Sequence, residues 1–410
     1  MEKPTFVTIA VASLMLATAT VRAESPTYLY GTTSTNTSGL ASIATTTPTS
    51  SDPRAAYVVA AETNKSGALK VIAWQDTTTS LVQIGHASGG GLAVRSVAAT
   101  GLDATRVVTA DVDETGALSI NTWAIGGSTG VTKQNGYSTG PKTATAVSIA
   151  TVSSTQVVTA TEDFSGNLAV EEWTISAGGL PTPIGVVEYD GPANQVAIAT
   201  ISSDQVITVV GTTSNTLIVT TWAVDSAGVQ YQNDYVMKNA VSSFSGDVAI
   251  GAGSQLAFET VDGLPTLQTV RTAFTPIINV AANVEVLYWN ISASGNISLL
   301  SKAETTKGDF FQVAGCMLPT DVPITAFGDV FSDVHVGWYG NGTDAVYNAI
   351  KGNTNGITSI GATAAGSDYK VFLPVYNAYL VTGVLTYTGS PTDGDLQIRV
   401  WSYPVVASDL

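Results

Sequence analysis

The sequence predicts an all-β fold, a β-propeller of about eight four-stranded blades, on three observations: a repeat with a step of nearly fifty residues, a hairpin inside each repeat, and a composition suited to strands. The repeat is plainest in YVVAAETNKSGALKVIAW (57–74), RVVTADVDETGALSINTW (106–123), QVVTATEDFSGNLAVEEW (156–173) and QVITVVGTTSNTLIVTTW (205–222). Trp74, Trp123, Trp173 and Trp222 stand 49, 50 and 49 residues apart, and Gly67, Gly116 and Gly166 keep the same step. A large ring at one fixed register in each copy is expected to be a wedge between neighbouring sheets, not an exposed platform for a ligand.

Inside each copy a β-branched run such as Val157-Val158-Thr159 meets a polar turn, then an alternating run ending in Trp173, which is the pattern of a hairpin. A short apolar strand precedes it at 96–100, 146–151 and 195–200, and a more polar one follows, as at 182–190. Four short strands per step is the size of a propeller blade. A solenoid would use shorter coils and would not need a four-stranded meander.

Weaker copies follow at 247–270, 284–300, 333–350 and 379–401. Eight hairpins give eight blades, and merging the irregular fifth with its neighbour gives seven. Between the fifth and sixth hairpins the step shortens to about thirty residues, so the fifth blade is expected to lack its outermost strand. The strand-like segment Thr27 to Thr33 is predicted to close the last blade, removing an open sheet edge, with Ser34 to Ser51 a loop leading through the first inner strand.

The hairpins, with an Asp-containing turn followed by an alternating strand that ends in Trp, resemble WD-type and quinoprotein-type propeller blades. The resemblance spans most of the chain and implies the architecture. The turn is longer than in a WD repeat, Gly-to-Trp spacing is seven residues, and no cofactor motif accompanies it.

Composition narrows the partners. Residues 1–23 read as a secretory signal, with Lys3, an apolar run from Phe6 to Thr18 and Val21-Arg22-Ala23 as the cleavage pattern, leaving 24–410 as one propeller domain. The expected location is outside the cytoplasm: extracellular, at the cell surface or periplasmic. A formal net charge of −16 repels nucleic acid and anionic membranes. Glycan or a surface protein is the expected partner, with no membrane insertion. The single cysteine, Cys316, excludes an intramolecular disulfide and is expected to be a buried small hydrophobe.

Residues of catalytic type are few. His86 and His335 are the two imidazoles, and neither falls in a metalloprotease or nucleophile-elbow pattern. Asp111, Asp113, Glu114, Glu162 and Asp163 are read as solvated or capping residues of hairpin turns, and DVDETG (111–116) lacks the ligand run and closing Glu of an EF-hand. Gly89-Gly90-Gly91 reads as a flexible connection. Asn36, Asn64, Asn290, Asn296 and Asn341 begin N-x-S/T sequons. No residue is nominated as catalytic, cofactor-binding or metal-ligating, no cofactor is implied, and no binding residue is located. The leading function is a non-catalytic extracellular binding or scaffold protein presenting propeller-face loops. The alternatives are a secreted carbohydrate-active lyase or hydrolase with its site at the channel mouth, and a structural surface-layer subunit.

Overall fold

The computed structural model describes residues 27–48, 55–77, 79–140, 143–189, 193–241, 248–261, 264–304, 310–317, 323–329, 334–338, 346–350, 357–367, 375–387 and 394–406. The signal segment 1–23 and Asn341 lie outside them. The first blade uses the later part of β1 (Thr27–Thr45), then β2 (Tyr57–Asn64), β3 (Leu69–Asp76) and β4 (Leu81–Ser88). The second holds β5 (Val94–Gly101), β6 (Arg106–Asp113), β7 (Leu118–Gly126) and β8 (Gly130–Ser138), and the third β9 (Ala144–Ser153), β10 (Gln156–Asp163), β11 (Leu168–Ile175) and β12 (Pro181–Tyr189). The fourth holds β13 (Gln195–Ser202), β14 (Gln205–Gly211), β15 (Leu217–Asp225) and β16 (Gly228–Met237), and the fifth β17 (Gly251–Val261), β18 (Leu264–Ile278), β19 (Val284–Ile291) and β20 (Ile297–Glu304). The sixth is β21 (Phe310–Met317), β22 (Pro323–Asp329), β23 (Val334–Trp338) and β24 (Val346–Ile350). The seventh is β25 (Ile357–Ser367), β26 (Val375–Tyr387), β27 (Gly394–Val406) and the first part of β1.

The propeller therefore has seven blades, the alternative count, and the leading count of eight is corrected. The hairpins at 247–270 and 284–300 are the inner and outer hairpins of one blade, joined by β18 pairing with β19. Local turn chemistry explains the miscount. In the outer hairpin Ser292 accepts the Asn296 N–H at 2.9 Å and Gly295 adopts φ +85°, which is how the middle hairpins of other blades also turn. The fifth blade keeps its outer strand, β20, contrary to expectation.

Closure occurs as the sequence predicts. Thr27 to Thr37 of β1 pair with β27 from Ser402 to Gly394, and Thr37 to Thr45 pair with β2. One strand is thus the outer edge of the seventh blade and the inner edge of the first. The stretch expected to be a loop after Ser34 is instead strand as far as Thr45, because it must span the seam. Inner strands touch in the order β1, β5, β9, β13, β17, β21, β25 and back to β1.

The middle hairpins turn through a repeated device. Asp113 accepts the backbone N–H of Thr115 at 2.8 Å and of Ala117 at 3.1 Å, and Asn64, Asp163 and Asn279 accept the corresponding pairs in blades one, three and five. Gly67, Gly116 and Gly166 each sit at φ +79°, where a side chain is strained, so the three glycines recur with the turn.

The indoles lie in the seams between blades. Trp74, Trp123, Trp173, Trp222 and Trp289 each pack among apolar residues of the preceding blade. These five and Trp401 are all within 1% of complete burial. All lie on third strands, with Trp338 at the matching backbone position of β23. Trp123, Trp173, Trp222, Trp289 and Trp401 donate Nε1–H to Thr109, Thr159, Thr208, Thr275 and Thr382 at 2.9 Å. The apolar ring fills the gap and its one polar atom is satisfied within its own sheet. Trp289 is regular in this frame, whereas the sequence pattern placed it on the earlier strand of a hairpin.

Inner edges are blunted by hydroxyls from the adjoining blade. The Ala99, Val147 and Ile198 N–H groups donate to Ser42, Ser96 and Ser148 at 3.1, 3.1 and 3.3 Å. Thr200 donates to the Thr151 carbonyl and Thr151 to the Gly101 carbonyl, both at 2.7 Å. This accounts for the Ser and Thr in the short inner strands: a sheet edge facing a channel leaves unpaired backbone groups, and a hydroxyl can answer either kind.

Replacing Thr159 by Val keeps the shape and strands the Trp173 indole N–H, so unfolding free energy should fall by about 1–3 kcal/mol, while Trp173→Ala should cost about 3–5 kcal/mol. Denaturant unfolding of both variants checks this.

Candidate functional site

Among the openings on the ring are the central channel and a cleft between the first two blades. The channel, about 570 Å³, is walled by inner strands, with Ser42, Ser96, Ser148, Gln195, Val248 and Gly315 among its residues. Among the described residues lining it there is no carboxyl, imidazole or phenol, and Arg95 is the charged one. The convergent acid–base set that hydrolysis at the channel mouth needs is not found among them. His86 is exposed on β4, whereas His335 on β23 is stacked on Phe327 with ring centres 5.0 Å apart, so the imidazoles belong to blades one and six. Cys316 lies on the inner strand β21 with some surface exposed, and burial pushes its thiol up to about 12.

The cleft arises from a break in the repeat. In the seams that follow blades two, three and four, a tyrosine on an outer strand covers the next blade's indole edge-on: Tyr137 on Trp173 at 5.5 Å, Tyr189 on Trp222 at 6.4 Å and Tyr235 on Trp289 at 5.2 Å. Blade one has Ala87 where blades two and four have Tyr137 and Tyr235, each paired with the residue three positions before the Trp, and Gly89 stands two residues further on. No large ring can cover the second blade there. An opening of about 400 Å³ results, with Gly89, Gly90 and Gly91 on one wall. These glycines, expected to be a flexible connection, are a side of the site.

Polar groups converge on the other wall. Asp111 ends its side chain on the indole face of β6, where its carboxylate accepts the Asn121 amide of β7 at 2.8 Å, and both residues are buried. Ser119 and Ser138, paired across β7 and β8, also line the cleft. Lys133 reaches over the Trp123 ring, 5.9 Å from its centre, and donates to the Gly89 carbonyl at 3.4 Å, so one ammonium spans the seam. Gly136 faces Asn121 across the sheet. A Cβ there would stand 2.5 Å from the amide oxygen, so a side chain would displace the Asp111 partner.

Asp111 and Asp113 are two residues apart and differ in task. Burial pushes Asp111 up to about 7, against the pull of the Lys133 ammonium and the Asn121 hydrogen bond and with a push from Asp113. For Asp113 partial burial is outweighed by the Thr115 hydroxyl and the Ala117 and Thr115 backbone N–H groups, which hold it below its ordinary value. Asp113 is the turn cap the sequence predicts. Asp111 is not a turn residue, which corrects the reading of it as solvated or capping. Neighbouring blades carry Glu62, Thr161, Val210 and Ile277 at its position, twelve residues before each Trp, and Ile72, Glu171, Thr220 and Leu287 at that of Asn121. The Asp–Asn pair thus belongs to the second blade among the first five. Glu162, at the end of β10, is also raised to about 7, by burial and the nearby Asp163.

A cluster of three or more His, Cys, Asp or Glu able to hold a metal does not occur among the described residues. No family model and no curated protein matches the chain. Among solved structures it is similar to the SapL1 lectin in complex with alpha methyl fucoside (14% identity, 76% of this chain and 96% of that one, TM-score 0.44). It is similar too to the six-bladed fungal lectin of Aleuria aurantia (10% identity, 77% and 96%, TM-score 0.44) and to Saccharomyces cerevisiae Sqt1 (11% identity, 94% and 90%, TM-score 0.45). At these values neither ligand nor blade number passes to this chain, whose own sheet topology defines the propeller.

Folded Asp111 keeps its proton to about pH 7, whereas in the unfolded chain it releases it near its ordinary 3.8. Asp111 therefore lowers stability progressively as pH rises from about 4 to about 7, with no further change above. Asp111→Asn should abolish that dependence, giving a gain over wild type that grows across this window to about a few kcal/mol, as the distance between 3.8 and about 7 requires. Urea melts of both proteins between pH 4 and 8 check the slope.

Proposed function

We propose that this chain is a non-catalytic, exported glycan-binding propeller that takes a neutral sugar in the cleft between its first two blades. The observation that carries the reading is the Asp111–Asn121 pair, buried, charged above about pH 7, absent from the matching positions of neighbouring blades, and facing an opening of about 400 Å³. A sugar presents adjacent hydroxyls that both donate and accept. Asp111 accepts, Lys133 donates, and Ser119 and Ser138 do either, so the wall answers a diol with charge-assisted hydrogen bonds. The volume suits a single sugar ring better than an extended chain.

Hydrolysis would need a second carboxyl free to act beside Asp111, and the nearest in sequence, Asp113, is committed to three hydrogen bonds in its turn. Binding is the reading this arrangement supports. Residues 1–23 are taken as an export signal, and mass spectrometry of secreted protein should find a mature N-terminus at Glu24. Retention of Met1 in the mature protein would remove export from the proposal.

Purified protein on an array of neutral glycans, fucosides included, should give a saturable ligand whose affinity falls at least tenfold in Asp111→Ala and in Asn121→Ala. Affinity should rise with pH through about 7, because a hydroxyl donor prefers the ionised carboxylate. Absence of any bound glycan, or binding indifferent to both substitutions, contradicts the proposal.

A further inference from the structure

The seventh blade repeats the geometry of the second with opposite chemistry. Trp401 pairs with Tyr28 of β1, the register then skips Leu29, and Arg399 pairs with Gly31. In blade two Trp123 pairs with Lys133, the register skips Gln134, and Asn121 pairs with Gly136. Arg399 therefore holds the place of Asn121, Gly31 that of Gly136 and Tyr28 that of Lys133. At the same position opposite the second residue before Trp, blades one, three, four and five have His86, Val186, Asp234 and Lys302. Glycine is found there in blades two and seven, and each of these two has a cleft beside it.

The cleft of blade seven is about 380 Å³ and is lined by Arg399, Gln397, Thr32, Thr33, Gly31 and Tyr28, with Ile398 completing the wall. Arg399 is 6% exposed. One guanidinium nitrogen, Nη2, donates to Gln397 Oε1 at 2.6 Å, and the other, Nη1, is buried without a hydrogen-bond partner. No carboxylate faces it among the described residues. A buried cation with neither counter-charge nor a full set of acceptors is costly, by far more than an exposed one. A planar fork with a free donor, set on the same sheet face as the Thr33 hydroxyl and beside a phenol, has the complement of an oxyanion carried on a small polar molecule.

We propose that the blade-seven cleft binds an organic oxyanion of monosaccharide size, with a sugar carboxylate paired to the Arg399 guanidinium and the Thr33 hydroxyl and Tyr28 phenol serving the sugar. The site is separate from the Asp111 cleft and does not depend on that cleft's ligand. The two would give the ring one pocket for neutral and one for acidic sugars.

Calorimetric titration of the full chain with sodium glucuronate and with methyl glucoside, at constant ionic strength, tests this. Glucuronate should bind saturably, with affinity unchanged in Asp111→Ala, at least tenfold weaker in Arg399→Lys, which keeps the charge and loses the fork, and lost in Arg399→Gln. Arg399→Gln removes an uncompensated buried charge, so its melting temperature without ligand should be no lower than wild type. Inorganic sulfate displacing glucuronate supports a site for the oxyanion itself, and failure to displace it supports one for the carboxylate sugar. No binding of glucuronate to the wild-type chain, or binding that survives Arg399→Gln, overturns the proposal. The wild-type titration is decisive even if a variant fails to fold.

Discussion

The indole wedge is the interaction on which the rest of this ring depends. A propeller has no continuous core, only a series of gaps between tilted sheets, and each gap widens outward. A tryptophan on the third strand fills the widening part, and its single donor is answered by a threonine of the adjacent strand in blades two, three, four, five and seven. Ala60 occupies the threonine's place in blade one. Because the ring is buried and its polar atom satisfied, the wedge fixes both the spacing of the sheets and the rotamer of its own side chain. The outer strand must then bulge around it, and it does so opposite Trp74, Trp123, Trp173, Trp222 and Trp289.

A rigid seam makes local departures meaningful. Tyrosines shield the wedges of blades three, four and five from the side, while blade one offers Ala87 and Gly89 to its neighbour, and the space left over becomes a cleft lined by Lys133, which covers the buried Trp123. The Asp111–Asn121 pair of that cleft stands on strand positions that neighbouring blades fill with other residues, from Glu62 and Thr161 to Val210 and Ile277. Both clefts thus arise from changes to the few residues around a wedge, without altering the wedge. Blade seven makes the same change with β1, a strand contributed from the other end of the chain, so ring closure and the second cleft use the same backbone.

Much of the architecture was legible in the sequence, for physical reasons that also mark where legibility stops. A buried tryptophan and a left-handed turn glycine each tolerate few substitutes, so Trp74 to Trp222 and Gly67 to Gly166 announce the step. From residue 247 onward the turns at 292–295 and 279–283 share the same polar chemistry though they join different strands, so a hairpin could be recognised but not its place in the blade. Asp111 was hidden by its neighbours. It sits beside Asp113 and Glu114 and resembles another turn acid, yet twelve residues before Trp123 it shares the parity of the indole face, and that parity was the available signal. Arg399, two residues before Trp401, carries the same signal. That an opening faces either residue depends on outer strands that come from elsewhere in the sequence, and no local pattern states it.

Hydrogen exchange of the tryptophan indole N–H groups, followed by NMR in the intact protein, tests the wedge most directly. Trp123, Trp173, Trp222 and Trp289 are expected to exchange only through unfolding of the ring, at rates that follow global stability as denaturant is added. Indole protons that exchange within the dead time under native conditions would mean that the rings meet water, and the account of the seams and of the clefts built on them would fail together.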